Sequence, residues 1–400
     1  MPPSSSSPAK AQDPRLPKKL LFIAIGLLIL FAFAELLTYA SGRFLQSKYR
    51  MYAVPVVPQQ SETTRSYADY LKVRDPRLGW PYRVNFGGSV YDSSGARNSP
   101  AFPDPAASAN AIALFGDSFA YGAEVDDEHA WGNQLARQIG ARVGNFGVPG
   151  YGTDQAYLRF LSMDKDPAPV VILTHLSEDI VRMLTRDWDL LQEQSYYDFK
   201  PRFVLNPDGS LREVPLPNVS EQEYRHSVGI ETPVLPMEYE NFQPGGAAGA
   251  TRLSFPFTLA LLRNLGSYQM RALFARRPDY MEFYQRGHPL HGLEISAKIF
   301  EAFSATARQR GKTPLVILLA NRQDIGYFHR THTWTYANLV QALDAAHVDY
   351  IDFGPTLLSY IGDRPIPDFF APLGHYNDAV NKLLADTVHA ALRSRNLVPR

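Results

Sequence analysis

The sequence predicts an α/β fold, a three-layer sandwich with a central parallel sheet, together with one N-terminal transmembrane helix and a large insertion. Three observations support this prediction. Short apolar runs alternate with helical stretches from residue 109 onward, an apolar run lies near the N-terminus, and an aromatic stretch rich in proline and glycine interrupts the alternation. The 400 residues, 45% of them hydrophobic, suffice for one large domain with an anchor and an insertion.

The composition excludes several function classes. Lysine plus arginine and aspartate plus glutamate number 40 each, so the net charge is zero, and there is no global electrostatic attraction to nucleic acid. The absence of cysteine rules out disulfides, thiolate zinc sites and cysteine catalysis. Localisation must therefore be inferred from the N-terminus.

The N-terminal apolar run extends from Leu20 to Leu37 behind a basic stretch, and Glu35 is its one charged residue. This length is close to what a membrane-spanning helix needs, and the preceding basic residues favour a cytoplasmic N-terminus. We predict a cytoplasmic tail at 1–17 and a transmembrane signal anchor at 18–40, in the inner (cytoplasmic) membrane with the remainder extracytoplasmic. The alternative is a cleaved signal peptide, because Ala32-Phe33-Ala34 is similar to a cleavage site.

The elements of the sheet domain, predicted at 109–395, follow in order after a proline-rich linker and irregular region at 41–108, which we expect to lie against the domain. The predicted strands are 111–115, 142–148, 170–176, 314–320 and 348–353. The predicted helices are 131–139, 153–161, 293–309, 333–346 and 377–392. This alternation predicts a parallel sheet covered by helices on both faces.

The insertion at about 180–290 is too aromatic to be a disordered linker. We expect it either to pack over the carboxyl edge of the sheet, where ligands of open α/β folds bind, or simply to widen the core.

Three segments carry candidate catalytic residues. Gly116-Asp117-Ser118 ends the first strand, which places Ser118 near a helix N-terminus, where amides favour developing negative charge. A glycine-rich loop over 145–153 follows the second strand and allows close approach of backbone amides. His375 lies in Gly374-His375-Tyr376-Asn377, directly before the final helix. Each segment alone is also compatible with an ordinary turn or helix cap.

Taken together, these segments resemble the SGNH, or GDSL-type, hydrolase family over roughly residues 74–392. Residues 115–122 look like the first block of that family, and residues 147–155 look like its second block, in the form seen in membrane-anchored bacterial members. The resemblance implies that Ser118 is the nucleophile and an oxyanion donor through its N–H, that Gly150 is the second donor, and that His375 is the general base. It implies no cofactor and no metal.

The third block departs from the family pattern. The family usually has Gly-x-Asn-Asp there, and its asparagine amide is the third oxyanion donor, whereas Glu178 occupies that position in His175-Leu176-Ser177-Glu178-Asp179. An ionised carboxylate cannot donate a hydrogen bond to an oxyanion. Four interpretations remain open: a protonated Glu178, a donor from Ser177 or His175, a donor from the insertion, or loss of catalysis.

The last block departs as well, because no acid lies three residues before His375. Asp368 is the nearest acid upstream and could orient His375 if the loop folds back. The alternatives are a backbone carbonyl or a Ser–His dyad.

Two further groups of residues are candidates. His329 and His332 have no third ligand near them in sequence, so they predict a polar loop rather than a metal site. Asp179 and Arg182 could line the pocket and bind substrate, or could form a structural ion pair.

The sequence as a whole predicts a membrane-anchored extracytoplasmic serine esterase. Its expected partners are the membrane and, by resemblance only, acylated envelope glycans or lipids. An O-acyltransferase using the same Ser–His site and a non-catalytic scaffold or binding protein that retains the fold are the alternatives.

Overall fold

The computed structural model describes residues 16–49, 52–53, 66–80, 91–191, 199–227, 237–243 and 245–398. Nearly all of the predicted cytoplasmic tail and parts of the predicted linker lie outside these residues. The α-helices of the described part are α1 (Leu16–Tyr49), α2 (Tyr67–Val73), α3 (Ser118–Tyr121), α4 (Trp131–Ile139), α5 (Thr153–Ser162), α6 (Asp179–Arg182), α7 (Glu221–Ser227), α8 (Phe257–Asn264), α9 (Tyr268–Ala275), α10 (Gly292–Gln309), α11 (Arg322–Thr331), α12 (Ala337–Ala345), α13 (Phe353–Ile361) and α14 (Asp378–Ser394).

The strands of the same residues are β1 (Tyr52–Ala53), β2 (Ile112–Phe115), β3 (Val143–Asn145), β4 (Val170–Leu176), β5 (Arg202–Leu205), β6 (Leu211–Val214), β7 (Thr251–Arg252), β8 (Thr313–Leu319) and β9 (Tyr350–Asp352). Single turns of 3₁₀ helix occur at Trp188–Leu190 and Ile366–Phe369, and a longer one at Asp279–Tyr284.

The central sheet has five parallel strands in the order β3-β2-β4-β8-β9. Numbered along the chain this is the order 2-1-3-4-5, the doubly wound order of flavodoxin-like folds. Helices α4, α13 and α14 pack together, and α5, α10 and α12 form a second group. Strands β2, β3 and β4 are fully buried. The predicted α/β fold with a helix-covered parallel sheet is confirmed.

The switch point of this sheet lies between β2 and β4, because β2 pairs with β3 on one side and β4 on the other. Ligands of open α/β sheets bind outside the carboxyl ends of the strands at such a point. The chain therefore builds a crevice from the loops that follow β2, β3 and β4.

Most predicted elements lie within a few residues of the observed ones, and the last strand is shorter than predicted. Asp352 accepts a hydrogen bond from Gly354 N (3.0 Å) and N-caps α13, so the chain turns into a helix at Phe353. Helices α11 and α13 were not predicted.

The described residues 66–80 and 91–108 are held against the sheet domain by hydrogen bonds and an ion pair. Gln155 Nε2 donates to Leu78 O (2.7 Å), the Trp80 indole donates to Pro149 O (3.3 Å), and Arg142 pairs with Asp92 (2.5 Å). The residues at 50–51, 54–65 and 81–90 lie outside the described part of the chain.

The chain divides into two compact units. The first contains described parts of Met1–Pro55 and Ala250–Met270, in which β1 pairs with β7 and α1 contacts α8. Helix α1 is long and apolar enough to cross a membrane. The second unit, Val56–Gly249 with Arg271–Arg400, contains the central sheet and the β5–β6 hairpin.

The insertion is shared between these units. Residues 250–270 belong to the first unit. Tyr284 returns to the carboxyl end of the sheet, where its hydroxyl donates to Ser177 O (2.6 Å), and Tyr280 donates to Asp324 (2.7 Å). Part of the insertion thus contacts the carboxyl edge of the sheet, which is one of the two predicted alternatives, and residues 250–270 belong to the first unit.

Candidate active site

Ser118 is held at the carboxyl end of β2, at the first position of α3. A Cβ at Gly116 would lie 1.9 Å from Thr174 Oγ1, so this turn requires glycine. The Asp117 carboxylate caps α3 by accepting from Phe119 N (2.9 Å) and Ala120 N (3.2 Å). This cap fixes the backbone on both sides of the Ser118 side chain.

His375 reaches the same place from the loop before α14. Asn377 caps α14 by accepting from Val380 N (3.0 Å), and the His375 ring packs on the Phe119 ring at a centroid distance of 5.0 Å. Ser118 and His375 line one cavity of about 260 Å³. The other lining residues are Phe119, Pro149, Gly150, Glu178, Arg182, Trp188, Asn321, Arg322, Gln323, Leu373 and Gly374.

Glu124 lies behind His375. Its Oε2 is 2.6 Å from His375 Nδ1 and accepts from His375 N (3.1 Å), while Oε1 accepts from Leu373 N (2.8 Å). Burial alone would raise the pKa of Glu124, but the hydrogen bonds from Leu373 and His375 outweigh it and lower the pKa. A carboxylate in this position fixes the imidazole tautomer and leaves Nε2 for a substrate-side proton.

Asp368 does not take the position for which it was a candidate. It is exposed within the Ile366–Phe369 turn, and its backbone oxygen accepts from Asn377 Nδ2 (2.8 Å). The acid that contacts His375 comes instead from the loop after α3. The available sequence signal was an acid six residues after Ser118, in the segment that follows this serine.

Two backbone N–H groups point to an oxyanion site. Within the described residues, neither the Ser118 N–H nor the Gly150 N–H has a protein acceptor, and both residues line the cavity. Gly150 has φ +82°, a conformation that favours glycine. A Cβ at Gly147 would lie 2.5 Å from Tyr121 N, so this loop approaches α3 closely only because it lacks side chains there.

Glu178 lines the cavity as a hydrogen-bond acceptor. Its two oxygens accept from Arg182 Nη2 (2.7 Å) and Asn321 Nδ2 (3.3 Å). This arrangement fits a carboxylate and not the donor that the third block of the family supplies.

Ser177 and His175 do not replace that donor. The Ser177 hydroxyl donates to Asp324 Oδ2 (2.5 Å), and the His175 ring lies between Thr153 Oγ1 and Tyr284 OH, each at 2.7 Å. Burial lowers the pKa of His175 to about 3, so its ring is neutral. Both side chains therefore have their hydrogen-bond partners inside the protein.

Asn321 supplies an amide that sequence reasoning missed. It follows β8 and caps α11, with Oδ1 accepting from Gln323 N (2.8 Å) and Asp324 N (3.1 Å). Asn321 lines the cavity, and its Nδ2 donates a long hydrogen bond to Glu178 (3.3 Å). The signal was a polar residue at the carboxyl end of a predicted strand, next to the strand of Glu178.

Arg182 lines the cavity, and Asp179 lies behind it. The guanidinium pairs with Glu178 (2.7 Å), Asp179 (2.9 Å) and Asp117 (3.2 Å). Burial opposes the charged form of Arg182, but these carboxylates outweigh it and raise its pKa. Burial, followed by the charge of Asp117, raises the pKa of Asp179. The geometry fits the ion-pair alternative better than a substrate-binding pair.

His329 and His332 lie at the end of α11, where His332 caps the helix with φ +53°. Among the described residues, no group of three or more His, Asp or Glu side chains is arranged to hold a metal ion.

Comparison with known proteins finds no matching family model and no matching curated protein. Solved structures that are similar include a member of the lipolytic protein G-D-S-L family from Veillonella parvula, at 13% identity and TM-score 0.35, covering 70% of this chain and 97% of that one. An acetyl xylan esterase is 13% identical with TM-score 0.33, covering 70% and 98%. An α/β hydrolase from the Lake Arreo metagenome is 11% identical with TM-score 0.37, covering 73% and 98%. These similarities are distant, and the functional proposal rests on the geometry of the site.

Proposed function

We propose that this protein is a serine esterase of the SGNH type, anchored in the inner membrane by residues 18–40 with its site on the extracytoplasmic side. One observation carries the proposal: His375 is backed by Glu124 and lines the same cavity as Ser118, which has free backbone N–H donors beside it. The proposed substrates are acyl esters on envelope glycans or lipids.

The chemistry follows the arrangement of these groups. Ser118 Oγ attacks the ester carbonyl while His375 Nε2 takes its proton, and Glu124 stabilises the imidazolium. The carbonyl oxygen becomes an oxyanion held by the Ser118 and Gly150 N–H groups. The C–O bond to the alcohol then breaks, and His375 returns the proton to the alcohol oxygen. Water, deprotonated by His375, then attacks the acyl carbon; the bond from this carbon to Ser118 Oγ breaks, His375 returns the proton to Ser118 Oγ, and the acid leaves.

We assign the third donor to Asn321. Its Oδ1 is held by the cap of α11, so Nδ2 is fixed in the cavity wall at 3.3 Å from Glu178. Glu178 then orients the amide rather than contacting the oxyanion. With this assignment, Asn321 supplies the amide donor that is missing at position 178, and Glu178 does not need to be protonated.

The cavity favours a short acyl group. Its volume of about 260 Å³ lies below the range of roughly 300–1,000 Å³ typical of sites for drug-sized ligands. Trp188 and Phe119 are its apolar walls, and both are almost completely buried.

The test is labelling of the full chain, in detergent or nanodiscs, with a fluorophosphonate probe. We expect labelling of the native chain, none after Ser118→Ala and strong loss after His375→Ala, with release of free acetate from a small acetyl ester. A folded native chain that neither labels nor releases acetate would contradict the proposal. Acetate that appears only on an added sugar would indicate the acyltransferase instead.

A further inference from the structure

The apolar helix α1 contains a carboxylate that is paired within the first unit. Glu35 is 5% exposed, whereas its neighbours Leu36 and Leu37 are 65% and 57% exposed. Its carboxylate accepts hydrogen bonds from Phe257 N, from Thr258 N (3.2 Å) and from the Thr258 hydroxyl. These donors form the N-terminus of α8, so Glu35 caps a helix that lies 222 residues further along the chain.

The position of Glu35 along α1 gives the depth of this contact. The 34 residues of α1 span about 51 Å at 1.5 Å per residue, more than the roughly 30 Å of bilayer hydrocarbon. Counted from Leu20, about 20 residues of apolar helix end near Tyr39, one turn beyond Glu35. An unpaired carboxylate at that depth is strongly disfavoured, so its partner must reach the same depth.

The outer face of α8 is apolar. Leu259, Leu262 and Leu265 follow at intervals of three and are 41%, 63% and 44% exposed, and Phe255 before them is 65% exposed. Residues at this spacing share one face of a helix. A contiguous exposed apolar face is typical of a surface that meets a partner or a membrane.

This face is continuous with the lipid-facing side of α1. The Phe255 ring packs on Phe31 (6.2 Å between centroids), and Phe257 packs on Tyr39 (4.8 Å). Arg263 on α8 is exposed and long enough to reach lipid headgroups. A lipid bilayer therefore matches the chemistry of both helices at once.

We propose that residues 253–265 form a second membrane-contacting element, with α8 lying in the outer interface of the bilayer and its Leu259–Leu265 face in the acyl-chain region. The hydrogen bonds that the Glu35 carboxylate accepts hold α8 beside α1. The inference rests on the proposed membrane anchoring through α1. The chain then meets the bilayer at two segments that are far apart in sequence.

The absence of cysteine from the chain makes single-cysteine labelling unambiguous. The full chain in phospholipid nanodiscs is labelled with an environment-sensitive fluorophore at Leu262→Cys, at Leu28→Cys in α1, or at Leu71→Cys, an exposed leucine of α2. We expect nitroxide lipids to quench the labels at 262 and 28 several-fold more than the label at 71, and aqueous iodide to show the opposite order.

The label positions separate the possible failures. Iodide quenching at 262 equal to that at 71, with 28 still in lipid, overturns the inference while leaving the anchor intact. Iodide quenching at 28 as well means that the anchoring itself fails. A label at 262 shielded from both quenchers is covered by protein, from a second copy or another chain, and also overturns the inference.

The role of Glu35 is tested by substitutions at this position in the Leu262→Cys and Leu28→Cys chains. Glu35→Leu removes the acceptors of Phe257 N, Thr258 N and the Thr258 hydroxyl, and we expect the label at 262 to lose at least half of its lipid quenching while the label at 28 keeps it. Glu35→Gln retains one acceptor oxygen and should restore much of the quenching. Unchanged quenching in Glu35→Leu would overturn the role of Glu35.

Discussion

At the scale of single residues, the site combines groups whose partners are distant in sequence. Glu124 contacts His375 across 251 positions, and Asn321 contacts Glu178 across 143. In both pairs a hydrogen bond holds the side chain of a residue that lines the cavity, namely His375 and Asn321. The roles of these residues can therefore be tested by substitutions that change the side-chain shape little and remove a charge or a hydrogen-bond donor.

Glu124→Gln should lower kcat/KM by roughly 10²–10⁴-fold, because an amide can hold the wrong imidazole tautomer and cannot stabilise the imidazolium. Steady-state hydrolysis of a small acetyl ester measures this. The matched control is Asp368→Asn, which should change kcat/KM less than about twofold, since Asp368 is exposed and the carboxylate that contacts His375 Nδ1 is that of Glu124. A larger loss of kcat/KM in Asp368→Asn than in Glu124→Gln would indicate that Asp368 is the acid that orients His375.

Asn321→Ser should lower kcat by about 10²–10³-fold, the usual cost of losing one oxyanion donor. Serine can still cap α11, so thermal unfolding should change little. Glu178→Gln is the companion variant: it replaces the carboxylate by an amide of nearly the same shape and should retain activity. A large loss in Glu178→Gln together with full activity in Asn321→Ser would exclude the assignment of the third donor to Asn321.

At the scale of elements, Asp324 in α11 joins three parts of the fold. Its buried carboxylate accepts from Ser177 after β4 (2.5 Å), from Tyr280 of the insertion (2.7 Å) and from Asn321 N (2.7 Å). Burial raises the pKa of Asp324 to about 6 despite these hydrogen bonds. We therefore expect the stability of the junction of β4, α11 and the insertion to depend on pH.

The sign of that dependence follows from proton linkage. The folded state binds the Asp324 proton more tightly than the unfolded chain, so this group's contribution to stability is complete below about pH 4 and is lost as pH rises through about 6. The contribution at stake is on the order of 2–3 kcal/mol.

Asp324→Asn should therefore flatten the decline in the free energy of unfolding between about pH 4 and pH 6. Urea unfolding at several pH values measures the slope, with the exposed Asp363→Asn as control. A slope in Asp324→Asn that matches the native chain would show that Asp324 does not titrate in this range.

At the scale of the whole molecule, the two compact units are built from interleaved segments. The first unit draws on both Met1–Pro55 and Ala250–Met270, so it cannot be removed by a single truncation. Deleting the N-terminal segment would remove α1 from α8 and β1 from β7.

A chain lacking residues 1–55 should consequently self-associate in detergent-free buffer, because α8 would expose the side that packed on α1 in addition to its Leu259–Leu265 face. Size-exclusion chromatography with light scattering measures the mass. Leu259→Ser with Leu262→Ser in the same truncated chain should shift the distribution towards monomer. A monomeric truncated chain without those substitutions would show that α8 does not depend on α1.

Local patterns in the sequence are sufficient to predict much of the fold. Alternating apolar runs and helical periods predicted the parallel sheet and most of its elements, and the apolar run at Leu20–Leu37 predicted α1. Ser118, Gly150 and His375 were placed at strand and helix ends because turn residues mark those ends, and parallel strands bring their carboxyl ends to one edge.

Which side chains meet at that edge depends on contacts between distant segments of the chain. Proximity in sequence favoured Asp368 as the acid for His375, but the loop after α3 places Glu124 there, and the loop after β8 places Asn321 against Glu178. The sequence likewise did not predict the hydrogen bonds between Glu35 and the N-terminus of α8. Contacts between segments more than a hundred residues apart are set by sheet order and loop path, which no local periodicity encodes.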